Sequence, residues 1–169
     1  MRTRKLVFLA LLTAAALVIF TAEAQIPPVV PVPGIKLGLS NIIIMTVLCL
    51  YGPREAAAVM LVKILLGSAF SSAPSAVIYS AAGGVLSLAV MTPLRRVLRE
   101  DQVWGLSAFG AMAHNIGQLA AAMAVLRSPG LGWYLPVLLL SGAVTGVFTG
   151  LCARPVIPRL RKIVNSTKK

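Results

Sequence analysis

The chain has 169 residues, 58% of them hydrophobic and 12% charged, with a mean hydropathy of +0.90. A soluble domain carries roughly 25% charged residues, so a water-covered globule is excluded and the composition points to a single all-α, polytopic membrane domain. Sixteen Lys and Arg against four Asp and Glu give a net charge of +12. These cations gather at the ends of apolar runs, which assigns them to membrane topology rather than to nucleic acid.

A spanning helix needs about 20 apolar residues, with a range of roughly 17–25, and six segments approach that length. The first, Leu6–Ala22, follows Arg2, Arg4 and Lys5. It can also be read as a secretory signal peptide: a basic start, an apolar middle and Ala22, Glu23 and Ala24 before a cleavage site at Gln25. Cleavage would leave five helices. Four prolines in QIPPVVPVP (Gln25–Pro33) exclude helix there. The second segment, Leu37–Tyr51, is short. Gly52 and Pro53 separate it from the third, Ala56–Phe70, which is interrupted by Lys63. SSAPS (Ser71–Ser75) leads to the fourth, Ala76–Leu94, and the fifth is Trp104–Leu126. SPGLG (Ser128–Gly132) leads to the sixth, Trp133–Ala153, which closes a single domain over 1–153. Residues 154–169 form a basic tail.

Loop charges test this count. With six helices and both termini inside, thirteen of the sixteen basic residues fall on one side, which the positive-inside rule makes cytoplasmic. The chain is therefore expected in the cell membrane, multi-pass, with the tail close enough to anionic lipid for each Lys or Arg to add about 1 kcal/mol.

Polar residues inside the spans are the candidate functional groups. A cation at the bilayer centre costs at least about 2.5–3.5 kcal/mol, so Lys63 either faces the bundle or a cavity as partner for an anionic ligand, or snorkels to an interface. The four acids, Glu23, Glu55, Glu100 and Asp101, all stand at segment ends. The only histidine, His114, shares a helical face with Gln118, and Asn115 lies about 100° round. The three are either interhelical glue or the polar wall of a substrate cavity. GIKLGLSN (Gly34–Asn41) is either a loop-to-helix transition with a Ser40 or Asn41 cap, or a gate over such a cavity. Ala10 and Ala14 make a small-residue face in the first helix, and Gly142, Gly146 and Gly150 recur every four residues in the sixth. Both patterns permit close helix packing.

Chemistry is constrained by what is missing. Cys49 and Cys152 have no metal-binding spacing, so neither a metal nor a cofactor is expected. No phosphate-binding loop, paired carboxylate motif or activated nucleophile is present, and the chain reads as a non-enzyme.

PGIKLGLSNI (Pro33–Ile42), YSAAGGVLS (Tyr79–Ser87), AHNIGQL (Ala113–Leu119) and LLLSGAVTGVFTG (Leu138–Gly150) together resemble the Gx transporter family, often labelled heptaprenyl diphosphate synthase component I. That family in turn resembles the substrate-binding S-components of energy-coupling-factor importers. The resemblance implies capture of a vitamin-like or flavin-like solute, with a membrane coupling protein and cytoplasmic ATPases as partners. Ala10 and Ala14 would dock the coupling protein, and Gly34, Gly38 and Ser40 would belong to a lid. Lys36, Asn41, Lys63, His114, Asn115 and Gln118 would be ligand groups. The synthase label implies the alternative, a non-catalytic membrane component in isoprenoid or quinone synthesis.

Overall fold

The computed structural model describes residues 2–23, 25, 39–69 and 75–166. Six α-helices make up nearly all of them: α1 (Arg2–Glu23), α2 (Asn41–Leu50), α3 (Pro53–Ala69), α4 (Ser75–Val97), α5 (Val103–Leu126) and α6 (Leu135–Ser166). Short 3₁₀ turns at Glu100–Gln102 and Pro129–Tyr134 join α4 to α5 and α5 to α6. No strand occurs among the described residues.

Among the described residues, four helical stretches are long and apolar enough to cross a membrane: Thr3–Glu23, Val77–Val97, Glu100–Leu126 and Pro129–Ser166. The second expected span contracts to the ten residues of α2, about 15 Å of helix against a hydrocarbon core of about 30 Å. Seven of those ten residues are buried, so α2 is an interior helix wrapped by its neighbours. Helix α3, with 17 residues, contains Lys63 and stands at the lower limit of spanning length.

The sixth helix differs in the other direction. It continues through the basic segment to Ser166, past Pro155 and Pro158. The prolines withdraw two amide donors, from the carbonyls of Leu151 and Arg154. Ala153 and Ile157 are nevertheless buried in the main core, and that burial holds the helix on course. At the α2–α3 turn Gly52 adopts φ +118°, a backbone conformation that disfavours a side chain, and Pro53 starts α3 as a first-turn proline should.

Helix α1 is seated on the bundle by one stripe. Thr13, Ala16, Phe20 and Glu23 are buried, while Leu6, Val7, Leu11 and Val18 face outward, the pattern of a helix with one packed face. The Phe20 ring fills the space in front of Gly67 on α3, where a Cβ would stand 2.6 Å from it.

Helices α4, α5 and α6 meet at backbone distance. A Cβ on Gly117 would stand 2.7 Å from the Ala82 carbonyl oxygen of α4. On Gly146 and Gly150 it would reach the Cα atoms of Ala108 and Trp104 of α5, at 2.6 and 2.5 Å. Small residues are what permit such approach where van der Waals contact, rather than a hydrophobic drive, holds helices together. Ser107 and Thr149 add a hydroxyl–hydroxyl bond of 3.0 Å across the α5–α6 seam.

One end of the bundle collects charge. Lys5 at the start of α1 pairs with Glu55 at the start of α3 at 2.6 Å and lies 5.4 Å from the Tyr51 ring centre. The Lys5 hydrogen bond holds the Glu55 carboxyl below its ordinary pKa. Arg95, Arg99, Glu100, Arg154 and Arg161 gather at the same end, where α2 and α4 finish and α5 begins.

Candidate functional site

The buried polar residues form two groups rather than one broad face. The first surrounds Lys63, whose side chain is only 3% exposed. Its Nζ donates to the Ser40 hydroxyl at 3.1 Å and lies 5.6 Å from the centre of the Phe20 ring, an electrostatically favourable cation–ring placement. Lys63 therefore faces the bundle and does not snorkel. Glu23 is buried as well. It stands three residues after Phe20, on the same side of α1, so a carboxylate accompanies this interior even though it lies at a helix end.

His114 approaches this group from α5. Its Nδ1 lies 2.9 Å from where a Gly83 Cβ would stand, so the imidazole occupies room that only glycine leaves on α4. Lys63 is near enough for its charge to act on the imidazole. Gln118 lies along the same seam: its Cγ would be 2.8 Å from that Gly83 Cβ. Both side chains are buried, at 3% and 1% exposure.

Asn115 turns the other way. It is fully buried, and its Nδ2 donates to the Leu138 carbonyl of α6 at 2.7 Å. Gly142 makes the space, since a Cβ there would stand 2.8 Å from Nδ2. One residue along a helix is a turn of about 100°, and here that step separates the α4-facing His114 from the α6-facing Asn115. Among the described residues, Asn115 Oδ1 and Asn41 Nδ2 have no hydrogen-bond partner.

Of the other sequence candidates, Ser40 and Asn41 lie at the start of α2 and are buried. Lys36, Gly34 and Gly38 lie outside the described residues. Ala10 and Ala14 are exposed on the outer face of α1. The structure thus brings Lys63, Ser40, His114 and Gln118 into one interior region and sets Asn115 on the α6 side. Phe20 escapes the sequence reading, because an apolar ring in an apolar helix carries no sign that it will face a cation.

No cluster of three or more His, Cys, Asp and Glu side chains that could hold a metal occurs among the described residues. The interior groups can bind, orient and hydrogen-bond.

Comparison with known proteins returns one family, described as heptaprenyl diphosphate synthase component I, whose profile matches residues 12–156. That range runs from the middle of α1 into the C-terminal half of α6. No curated protein and no solved structure matches the chain.

Proposed function

Since the chain belongs to the heptaprenyl diphosphate synthase component I family, we propose that it is the non-catalytic, membrane-embedded component of a prenyl diphosphate synthase assembly. The family match over residues 12–156 carries this reading. The chain's own chemistry is consistent with a supporting role. Prenyl transfer handles a diphosphate through magnesium held by carboxylates, and this chain has four acids, three of them far apart in sequence. A soluble partner subunit would supply the catalytic carboxylates.

In this account the bundle sits in the cell membrane with the α4–α5 turn and the basic half of α6 in the cytoplasm, as the excess of Lys and Arg favours. Helices α1, α4, α5 and α6 span it. Helices α2 and α3 complete the six-helix domain from within and beside them. The basic end then faces the compartment where a soluble synthase works.

The test is reconstitution. The purified chain in lipid nanodiscs is mixed with the soluble prenyl synthase of its host, and product chain length and yield are followed with labelled isopentenyl diphosphate. The expected result is long-chain product only with both proteins. Product from the chain alone would overturn the non-catalytic role, and an unchanged yield on adding the chain would overturn the partnership.

A second reading, solute capture for an energy-coupling-factor importer, draws its support from Lys63. A buried cation bonded to Ser40 is a reasonable seat for an anionic solute group. That reading requires a coupling protein and two ATPases to accompany the chain.

A further inference from the structure

At the charged end of the bundle, α2, α4, α5 and α6 enclose a pocket of about 240 Å³ that the polar interior does not reach. Four arginines line it: Arg95 from the last turn of α4, Arg99 from the α4–α5 connection, Arg154 and Arg161 from α6. One acid, Glu100, is part of the lining. We propose that this pocket binds the phosphate or diphosphate headgroup of an amphiphile.

Two guanidinium groups are fixed on a common point. Arg95 Nη2 donates to the Cys49 carbonyl at 3.2 Å, and Arg161 Nη2 to the same oxygen at 3.5 Å. That carbonyl belongs to the last turn of α2, the negative end of the helix dipole, and it draws both cations inward. Arg161 also bonds Glu100, and Arg99 lies 3.6 Å from Asp101. Arg95 and Arg154 have no acid beside them among the described residues. Two positive charges thus stand at the pocket without an ion-pair partner among the described residues.

A guanidinium offers five N–H donors in a planar fork that matches phosphate oxygens. Arg95 uses one of its five within the described residues, and Arg154 uses none. The donors remaining on two fixed forks and one unengaged side chain form a seat for a doubly charged, multi-oxygen anion, for which Arg is better suited than Lys.

The rest of the wall says what is attached to the anion. Leu98, Val103, Leu106, Ile157 and Pro158 make most of it apolar, with Cys49 and the polar Gln102 beside them. Val97 and Trp104, next in sequence to two of them, are exposed apolar surface. At about 240 Å³ the pocket is below the roughly 300–1,000 Å³ of sites that enclose a whole small molecule. It therefore takes the headgroup and leaves an apolar chain to continue along the bundle into lipid. This inference stands on the pocket alone and does not require the synthase reading.

The test uses the full chain purified in a neutral maltoside detergent. Inorganic diphosphate is titrated by calorimetry, and retention of phosphatidylglycerol against phosphatidylcholine is measured by native mass spectrometry. Three forms are compared: the parent chain, Arg95→Gln with Arg154→Gln, and a charge-matched control, Arg159→Gln with Lys162→Gln, whose residues lie on α6 outside the pocket. The expected result is selective binding by the parent, a loss of about tenfold or more in the pocket variant, and less than about twofold change in the control. Diphosphate binding without lipid selectivity identifies a free phosphate ligand, and lipid selectivity without diphosphate binding identifies a membrane headgroup. Binding of neither probe, or equal loss in both double variants, would overturn the site. Should the pocket variant fail to fold, Arg154→Gln alone carries the comparison, since that side chain bonds nothing among the described residues.

Discussion

Replacing Gly146 by alanine tests the close seam between α5 and α6. The new Cβ would stand 2.6 Å from the Ala108 Cα, 2.8 Å from the Ser107 carbonyl oxygen and 3.0 Å from the Ala108 amide nitrogen. All three are backbone atoms, so no side chain can swing aside. Carbon pairs settle at about 3.5–4.0 Å, and α6 must therefore retreat by about 1 Å along a seam that also holds Gly142 and Gly150. Overpacking of this kind costs about 1–3 kcal/mol, offset by the roughly 0.8–1 kcal/mol that alanine contributes as a better helix former. The net expectation is a loss of about 1 kcal/mol. Gly105 in α5 is the control: its Cβ would meet only the Leu98 Cδ1, at 3.9 Å, so Gly105→Ala keeps the propensity gain without the clash. Titration with dodecyl sulfate in mixed micelles, followed by circular dichroism, compares the two. Gly105→Ala should be the more stable by about 2 kcal/mol. A Gly146→Ala protein as stable as Gly105→Ala would refute the close-packed seam.

Other perturbations probe the interior and the charged end. Gly142→Ala should destabilise by about 1–3 kcal/mol, and adding Asn115→Ala should recover part of that loss, because the obstructing atom is Asn115 Nδ2; additive losses in the double variant would contradict the contact. Asn115→Ala alone should cost about 0.6–1.7 kcal/mol, the range for one interhelical hydrogen bond in a membrane protein, read by the same titration. Lys63→Met removes the ammonium that donates to Ser40 and faces the Phe20 ring and should destabilise by about 1.5–3 kcal/mol, the range for a hydrogen bond to a charged group; an unchanged midpoint in the same titration would contradict a stabilising role for the buried ammonium. The Lys5–Glu55 pair makes stability depend on pH. The Glu55 pKa is depressed in the folded state, so the pair's contribution is present above the ordinary glutamate pKa and is lost as pH falls through the lowered folded value. The pair is partly exposed, and its loss should amount to about 0.2–1 kcal/mol, detectable as a smaller acid-induced drop in Glu55→Gln than in the parent chain.

The sequence made some of this legible and not the rest. Helices α4 and α5 fall within a few residues of the expected segments, because each is a long apolar run bounded by turn residues or charge. The contraction of α2 was not legible: an apolar run reads alike whether lipid or protein surrounds it, and burial among neighbours removes the need to span. The continuation of α6 past Ala153 was not legible either: Ala153 and Ile157 pack into the core and keep the helix going through Pro155 and Pro158. The polar trio in α5 was visible as unusual, but its division between α4 and α6 depends on where glycines 83 and 142 open space on two other helices. The arginine pocket joins residues from Cys49 to Arg161, a convergence that charge counting along the chain reports only as loops of one sign.

The most direct test of the proposed role is the identity of what accompanies the chain. Tagged protein would be isolated from membranes of its own host in mild detergent, and the bound proteins identified by mass spectrometry and assayed for prenyl transfer. The account predicts a soluble prenyl diphosphate synthase subunit at near-equal amount, with prenyl-transferring activity in the eluate. Two ATPases and a membrane coupling protein in its place, with no prenyl transfer, would contradict it and establish the importer instead.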